Sequence, residues 1–501
     1  MSRAEKNHEA RPKVTIGETP LRIEDVLAVA AGATVELSAS AVDRIRNSRQ
    51  VIEEKLAAEE PTYGLNRGLG HDKDRRISAD ELTHFSLRML RAHEGGIGPP
   101  LSPEIVRAAM LARVSGIAQG GSGASLAMPE TLVAMLNAGV TPVVPSVGSV
   151  GDADLGQMAA IGLVAIGEGM ADYRGERLPG ADALRAAGIA PLTLGPKDGL
   201  TIMSANGISI GQAALVAART LQAAELADLT AAVALEAVGA SISVVDPAVG
   251  VAKPLQGQIE SADHIRRLLE DSYLQAHDVK TVQEALSFRV VPQVHGTLRD
   301  FLMFAIHAVE TELNSAADNP LVSSDRRMVH NGNFEPLVMA VAFDALRIAL
   351  AHVGQISERR MSHLWAAIFE RPEALGAPRQ FYGLKLRYPA AARFAELKQL
   401  AAPATLDVPT LDIGVEDHST SAPLSVSKTD AAVDILEDIL IIEILLARDL
   451  LSARKEASQL GRGTRALLGN VDALLADLGS GATPAKVHAV LREKIGSGSG
   501  R

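Results

Sequence analysis

Tyr63 stands in a glycine-dense loop, residues 62–70, whose backbone needs angles that few residues other than glycine adopt. A tyrosine hydroxyl has an ordinary pKa of about 10, so it abstracts a proton near neutral pH only beside a positive or hydrogen-bonding group. Arg67, in the same loop, could be that group. Taken alone, a Tyr-Gly pair more often packs a turn, so the chemistry of Tyr63 depends on what surrounds it.

The composition excludes several other kinds of chemistry. The chain has 501 residues and no cysteine, which excludes a disulfide framework, a thiolate nucleophile and a cysteine-ligated metal. The sequence contains no phosphate-binding P-loop, no Rossmann glycine pattern after a strand, and no histidine or acid cluster at metal-ligand spacing. We therefore expect neither a cofactor nor a metal.

The charge pattern bears on partners and location. A formal charge of −11 argues against nucleic acid or an anionic membrane as the main partner. No signal peptide is recognisable, and charged residues interrupt the most apolar run, residues 435–451. We expect a cytoplasmic protein.

Alanine-, leucine- and glutamate-rich stretches with helical spacing predict a mainly α protein. In the N-terminal part we predict a strand over residues 34–37, a hairpin over residues 170–178 that turns at Gly175, and helices over residues 40–58, 81–93 and 103–119. Beyond residue 200, alanine-rich stretches predict a bundle of long helices over residues 211–240, 294–315, 336–360, 423–456 and 483–494. We place the domain boundary at residue 195. It divides a loop-rich N-terminal domain, residues 1–195, from a long-helix core with a C-terminal helical domain, residues 196–501.

The loop at residues 146–158 is the most specific feature of the chain. Its centre reads Gly148-Ser149-Val150-Gly151-Asp152-Ala153-Asp154-Leu155. It resembles the signature loop of the histidine and phenylalanine ammonia-lyase family, where Gly-Ser-Val-Gly-Ala-Ser-Gly-Asp-Leu is usual. In that family the Ala-Ser-Gly tripeptide cyclises into methylidene-imidazolone (MIO), an electrophile that bonds to the substrate's amine. Here the serine whose dehydration forms the electrophile is missing.

Further motifs extend this resemblance over about residues 63–418. The loop of Tyr63 looks like the family's Tyr-Gly-Val-Asn-Thr-Gly-Phe-Gly, whose tyrosine is the general base. Residues 90–98 resemble Leu-Ser-His-Ala-Ala-Gly-Val-Gly, so His93 would face the substrate's ring or assist proton movement, unless it only caps a helix. Residues 283–294 resemble Gln-Asp-x-Tyr-Ser-Leu-Arg-Cys-x-Pro-Gln-Val. That match places Gln283 in the site and Arg289 on the arginine that clamps the substrate carboxylate, with a surface ion pair as the alternative.

Two later segments supply more candidates for the site. Residues 331–336 resemble Gly-Gly-Asn-Phe-His-Gly-Glu-Pro, so Asn333 would help hold the carboxylate and Phe334 would line the pocket. Residues 408–418 resemble Ile-Pro-Thr-Ser-Ala-Asn-Gln-Glu-Asp-His. The match places Glu416 near the substrate amine, and Asp412 replaces an alanine. A structural ion pair could explain either acid.

Other positions depart from the family pattern in keeping with the missing electrophile. After Lys197-Asp198-Gly199-Leu200, the family's Asn-Gly-Thr has become Ser204-Ala205-Asn206, which removes an amide usually close to MIO. Leu286 replaces a tyrosine that works beside MIO. Lys385, or Arg387, lies near the family's mobile loop and could pair with a substrate thiolate, although a surface cation is the commoner role of either.

These departures imply a substrate that needs no electrophile. A trimethylammonium group carries a fixed positive charge, has no lone pair for MIO and leaves as a neutral amine. The resemblance therefore implies a carbon–nitrogen lyase that releases trimethylamine from an aromatic betaine, with ergothioneine, split into thiolurocanate and trimethylamine, as the expected substrate. Because aromatic residues make up only 3% of the chain, we expect carboxylates to hold the cation. The acids that map around the expected pocket are Asp152, Asp154, Asp412 and Glu416.

Two alternatives stay open. One is a lyase that acts on hercynine or another aromatic betaine, and the other is an inactive homologue that serves as a binding or regulatory subunit. The resemblance also implies the fumarase/aspartase-like architecture of ammonia-lyases. It further implies a homotetramer in which each site is built from three chains.

Overall fold

The computed structural model describes residues 12–276, 281–370, 381–453 and 459–496. Helices dominate these residues, and the strands are few and short. The described chain forms two compact units. The first gathers residues 12–215, 306–341 and 404–427; the second gathers residues 216–305, 342–403 and 428–496, apart from the gaps. The predicted boundary at residue 195 divides the sequence into two continuous domains, whereas each observed unit consists of three separate stretches of sequence.

The first unit contains all the described strands. Lys13–Ile16 pairs with Thr34–Leu37 in parallel, and the other sheets are antiparallel: Ile97–Pro100 with Pro145–Val147, Met170–Tyr173 between Thr141–Pro142 and Glu176–Pro179, and Leu321–Val322 with Met328–Val329. Its α-helices are Ile23–Ala30, Ala39–Ala57, Ala79–His93, Pro103–Ala118, Ala127–Ala138, Leu155–Ala165, Gly180–Ala186 and Asp198–Met203. Short 3-10 turns lie at Gly70–Asp72 and Asp412–Gly414.

The described residues of the second unit form helices joined by short connections, without a strand among them. Its α-helices are Pro247–Ala252, Gln256–Leu268, Leu286–Arg289, Gly383–Leu400, Arg462–Leu478 and Pro484–Leu491, with short turns at Ile242–Val245, Tyr273–Ala276 and Arg492–Gly496. Long helices with residues in both units are Gly207–Val238, Val291–Leu313, Leu337–Phe369 and Ala422–Ser452. The predicted long helices are confirmed, although the one predicted to end at residue 360 continues to Phe369. The predicted end of one, at residue 456, lies outside the described residues.

Local sequence signals explain the element boundaries near the site. Ser38 accepts a hydrogen bond from the N–H of Ala41, so the helix Ala39–Ala57 begins one residue earlier than predicted. Ser78 and Glu81 form a capping box that starts the helix Ala79–His93. The predicted strand at residues 34–37 and the hairpin around Gly175 are confirmed.

A hydrophobic core in the first unit fixes three helices against one another. Leu90, Leu163 and Ile202 come from Ala79–His93, Leu155–Ala165 and Asp198–Met203, and all three are buried in one cluster. Tyr63 packs against this cluster. A Cβ at Gly199 would lie only 2.4 Å from the carbonyl oxygen of Ser86. The glycine therefore permits the close approach of the helices Asp198–Met203 and Ala79–His93.

Two helical stretches are long and apolar enough to cross a membrane. In Asp198–Val238, 94% of the most apolar window is buried inside the protein, and in Leu337–Phe369 the share is 61%. Core helices of soluble proteins have the same length and composition, so these helices are weak evidence for a membrane protein.

Candidate active site

Two cavities of the first unit contain most of the predicted site residues. The first has a volume of about 610 Å³ and is lined by Tyr63, His93, Asp152, Ser204, Phe334, Asp412 and Glu416, among others. The second has about 620 Å³ and shares Tyr63, Asp152, Phe334 and Glu416 with the first. Cavities of this size accommodate a small organic molecule. The fold therefore brings together residues as distant in the sequence as Tyr63 and Glu416, which are 353 positions apart.

Tyr63 is half-buried between the two cavities, where it could meet a substrate. Its hydroxyl accepts a hydrogen bond from the N–H of Gly70 at 3.1 Å. Burial raises the pKa of Tyr63; the bond from Gly70 opposes the rise, and the negative charges of Glu416 and Asp412 add to it. In the free protein the phenol form is therefore favoured.

Arg67 does not have the predicted effect on Tyr63. Its guanidinium donates to the carbonyl oxygen of Asn66 at 2.9 Å, and the pKa of Tyr63 is raised, not lowered. Arg67 is not among the groups that shift the pKa of Tyr63, so the predicted effect of this cation on the tyrosine is not met. The hydrogen-bonding group that Tyr63 requires is the N–H of Gly70.

The loop at residues 148–154 turns tightly and places Asp152 at the cavities. The hydroxyl of Ser149 accepts from the N–H of Gly151 at 3.0 Å and donates to the carbonyl oxygen of Ala153 at 3.2 Å. Gly151 and Ala153 both have positive φ, at 102° and 68°. Asp152 is 9% exposed, and its Oδ2 accepts a hydrogen bond from the Ser419 hydroxyl at 2.5 Å.

This loop does not fit the MIO group. Cyclisation needs a serine between the alanine and glycine of the tripeptide, and here Asp152 and Ala153 alone separate Gly151 from Asp154. The serine nearest by sequence, Ser149, lies before Gly151 and uses its hydroxyl in the turn. A carboxylate thus occupies the part of the loop where the family forms its electrophile.

Asp154, expected among the acids around the cation, instead has a structural position. It is fully buried, and it accepts hydrogen bonds from the N–H and the hydroxyl of Ser209 at 2.8 and 3.0 Å. Burial raises the pKa of Asp154 despite these bonds. It fastens the loop to the start of the helix Gly207–Val238 and does not line either cavity.

Glu416 and Asp412 lie on one loop and differ in their surroundings. Burial raises the pKa of Glu416, and the negative charges of Asp412 and Asp152 add to the rise, while His93 opposes it. Asp412 contacts His71 twice: Oδ1 lies 2.6 Å from Nδ1, and Oδ2 accepts from the backbone N–H at 2.9 Å. Asp412 therefore binds the neighbouring loop, and Glu416 is the more available of the two carboxylates.

His93 lines the first cavity at the end of the helix Ala79–His93. Its Nδ1 lies 2.8 Å from the carbonyl oxygen of Met89. Because a carbonyl oxygen can only accept, Nδ1 carries a hydrogen. When the imidazole is neutral, Nε2 therefore has the free lone pair and can accept a proton.

Of the polar residues predicted where the family has its Asn-Gly-Thr segment, one lines the first cavity and one does not. Ser204 lines the first cavity, whereas Asn206 is buried beside it and donates to the carbonyl oxygen of Phe334 at 2.5 Å. The Oδ1 of Asn206 has no donor among the described residues. Asn333 is exposed and does not line either cavity, so its predicted contact with a carboxylate is not made within these cavities.

The remaining predicted residues belong to the second unit. The guanidinium of Arg289 donates to the side-chain oxygen of Gln283. Lys385 is exposed on the helix Gly383–Leu400, and Arg387, the other candidate for a thiolate, forms an ion pair with Glu358. Their roles in a site stay predictions.

The site prediction missed residues that line the cavities. Glu335, His330 and His418 line the second cavity, and His71 lines the first. The signal for Glu335 was present, since residues 333–336 retain the family's Asn-Phe and Glu-Pro but lack the His-Gly between them. Burial, and then the charge of Asp152, raise the pKa of Glu335 to about 8.

Comparisons with known proteins agree with this arrangement. A family model described as aromatic amino acid lyase matches residues 21–473. A histidine ammonia-lyase of Gloeobacter violaceus is 38% identical over 456 residues, which cover 89% of this chain and 88% of that protein.

Solved structures share the fold. The ergothionase of Treponema denticola, in complex with desmethyl-ergothioneine sulfonic acid, superposes with a TM-score of 0.90 at 27% sequence identity. The match covers 97% of this chain and 99% of the ergothionase chain. The histidine ammonia-lyase of Trypanosoma cruzi gives a TM-score of 0.85 at 28% identity, with coverages of 97% and 94%. The predicted mainly helical ammonia-lyase architecture is confirmed.

Proposed function

This chain belongs to the aromatic amino acid lyase family and is a carbon–nitrogen lyase, and we propose that it eliminates trimethylamine from the betaine of an aromatic amino acid. The substrate is ergothioneine, the products are thiolurocanate and trimethylamine, and the reaction proceeds without MIO. The likeness to the ergothionase of Treponema denticola supports this choice of substrate.

The position of Asp152 carries the proposal. In the family, the corresponding part of the loop bears an electrophile that bonds to an amine with a lone pair. In this chain it bears a carboxylate that lines both cavities and is 9% exposed. A carboxylate cannot bond to an amine in that way, but it attracts a fixed positive charge, strongly so where water is scarce.

The chemistry of a quaternary ammonium fits such a site. Its nitrogen has no lone pair, so an electrophile would not help it. It departs as a neutral amine, so the elimination needs no further activation of the leaving group. The protein's task is then to orient the substrate, to remove a proton and to stabilise charge.

In this proposal the trimethylammonium group binds in the cavities, where carboxylates and a small number of aromatic rings surround it. Asp152 and Glu416 both line the two cavities. The negative charge of Asp152 raises the pKa of Glu416, so the two carboxylates repel each other. A bound trimethylammonium relieves this repulsion. Phe334 and Tyr63 supply ring faces in the same walls.

The phenolate of Tyr63 removes the β-hydrogen as a proton and becomes the neutral phenol. The electron pair of the C–H bond forms the Cα–Cβ double bond, and the Cα–N bond breaks with its electron pair on nitrogen. The proton passes from Tyr63 to solvent, and trimethylamine leaves neutral. The cation of the substrate lowers the pKa of Tyr63, which burial raises in the free protein, and the N–H of Gly70 stabilises the phenolate.

By resemblance to the family, residues that do not line the two cavities complete the site. Arg289 clamps the substrate carboxylate with help from Gln283 and Asn333, and Lys385 pairs with the thiolate of the ring. In the family, such contacts come from different chains. We therefore include in the proposal a homotetramer with shared sites, located in the cytoplasm.

The assay for this function measures trimethylamine release from ergothioneine together with the appearance of a long-wavelength ultraviolet chromophore. Hercynine, which lacks the sulfur, is the comparison substrate. Turnover of ergothioneine ahead of hercynine is the expected result. Preference for hercynine would favour the second betaine as substrate, and no turnover of either would overturn the proposal.

A further inference from the structure

Asp152 and Glu335 form a carboxyl pair on the wall of the second cavity. Asp152 belongs to the loop before the helix Leu155–Ala165, and Glu335 lies just before the helix Leu337–Phe369. Both side chains line this cavity, and Asp152 raises the pKa of Glu335 through its charge and through a side-chain hydrogen bond. Both residues belong to the first unit.

Each member of this pair has a buried oxygen that lacks a hydrogen-bond donor among the described residues. Ser419 donates to Oδ2 of Asp152, but Oδ1 of Asp152 and Oε2 of Glu335 are buried and accept from no donor among the described residues. The Nδ1 of His418 lies 3.4 Å from Oε2 of Glu335, an ion-pair contact without hydrogen-bond geometry. One proton held between the two carboxyl groups would remove the repulsion between two carboxylates at this cavity.

Among the described residues that line the second cavity, Asp152 is the one that contributes to the pKa shift of Glu335. Arg67 uses its guanidinium on the carbonyl oxygen of Asn66. The other titratable or charged groups of the lining are Tyr63, Lys73, Asp74, His330, Glu416 and Asp417. The largest influences on the Glu335 carboxyl are its burial and Asp152, which raise its pKa to about 8.

We infer that Asp152 and Glu335 share one proton in the free protein and release it when a quaternary ammonium ion binds beside them. The inference rests on the proposed function, because it concerns the groups that the betaine's cation meets. A quaternary nitrogen has no N–H to donate, so it gains from the pair only through charge. Loss of the proton leaves two carboxylates, which is the arrangement that attracts such a cation most strongly.

The direction of the pH effect follows from this exchange. Below about pH 8 the pair holds its proton, so binding of the cation must displace it. The Kd of a quaternary ammonium ion therefore falls as the pH rises towards 8, by up to about tenfold per pH unit for one displaced proton, and levels off above that pH.

Infrared difference spectroscopy on the full-length protein tests the inference. Tetramethylammonium chloride is the probe, and sodium chloride at equal concentration is the reference. At pH 7 the wild type should lose the carbonyl stretch of a protonated carboxyl group on addition of tetramethylammonium. The Glu335→Gln variant should show no such loss. An unchanged wild-type spectrum, or an equal loss in Glu335→Gln, would overturn the inference.

Glu312→Gln is the matched control. Burial raises the pKa of Glu312 to about 7, but Glu312 lies outside both cavities. This variant should keep the loss caused by tetramethylammonium. If Glu335→Gln does not fold, Asp152→Asn and the titration of the wild-type band near pH 8 replace it, and a band that does not titrate there would contradict the shared proton.

Failure of the inference differs from failure of the function. Trimethylamine release from ergothioneine with no spectral change on tetramethylammonium binding would remove the shared proton and keep the function. A spectral change in wild type and not in Glu335→Gln, without turnover of any betaine, would keep the shared proton and remove the function.

Discussion

The N–H of Gly70 donates a hydrogen bond to the hydroxyl of Tyr63 at 3.1 Å, within the loop that carries both residues. Gly70 has a positive φ of 55°, and a Cβ there would lie 1.9 Å from Oδ2 of Asp412. The glycine therefore lets a backbone donor and an acidic loop approach the same tyrosine. The donor favours the phenolate and the acids oppose it, so the protonation of Tyr63 depends on what occupies the cavity.

Replacement of Tyr63 by phenylalanine should remove the proton acceptor and keep the cavity. We expect kcat for betaine elimination to fall by about 10²- to 10⁴-fold, the usual contribution of a general base. Binding of tetramethylammonium should change little. Tyr173→Phe is the control, since Tyr173 is buried outside the cavities, and it should keep its rate. A Tyr63→Phe variant as active as wild type would favour a different base.

The pH profile should respond to Glu416. Among the causes that raise the pKa of Tyr63, the charge of Glu416 comes after burial. The Glu416→Gln variant lacks this charge, so the pKa of Tyr63 should fall. The rise of kcat/KM with pH, which reports the base of the free enzyme, should then move to lower pH. A profile that moves to higher pH or stays in place would show that Glu416 does not act on the base.

Neutral substitutions of Asp152 and Glu416 should weaken the binding of quaternary ammonium ligands more than the binding of primary amines. Asp152→Asn and Glu416→Gln should weaken binding of betaines by about 30-fold or more, because truncating a desolvated charge pair costs about 2 kcal/mol or more. Binding of primary-amine analogues should weaken less, because an ammonium with N–H groups can donate to the substituted amides. Calorimetric Kd values for both ligand types provide the comparison. Equal losses on both would remove the argument that these acids hold the cation.

Stability should depend on a buried acid of the second unit. Burial raises the pKa of Glu437 from 4.5 to about 7, although Arg219 and Arg492 oppose the rise. A raised pKa means that the unfolded chain loses this proton first as the pH increases. The protonated Glu437 therefore stabilises the folded state. This contribution to the free energy of unfolding is complete below about pH 4.5 and lost by about pH 7, a difference of about 3 kcal/mol.

The Glu437→Gln variant should flatten this decline. Denaturant titrations at pH 5 and pH 8 would measure the free energy of unfolding of both proteins. Glu260→Gln, at an exposed position of the helix Gln256–Leu268, is the control and should leave the decline unchanged. The same slope in Glu437→Gln and wild type would assign the decline to other groups.

Much of the fold and part of the site follow from local sequence. The strand Thr34–Leu37, the turn at Gly175 and the start of the helix Pro103–Ala118 depend on neighbours within a few residues, and these predictions are confirmed. The predicted roles of Arg67 and Asp154 were wrong for another reason. Arg67 donates to the backbone of Asn66 and does not shift the pKa of Tyr63, and Asp154 is buried against Ser209.

The contacts that sequence reasoning missed join distant parts of the chain. Ser419 and Asp152 lie 267 positions apart, and His71 and Asp412 lie 341 positions apart. No local pattern predicts that such residues meet. The pairing of Asp152 with Glu335 is of the same kind, and it became visible only once the fold placed both at one cavity.

The most direct test compares histidine with hercynine, since the two differ only in three methyl groups on the nitrogen. One preparation of the protein, assayed on both at equal concentration, should release trimethylamine from hercynine and no measurable ammonia from histidine. Brisk release of ammonia from histidine would contradict the claim that this site works only on a nitrogen that arrives fully alkylated.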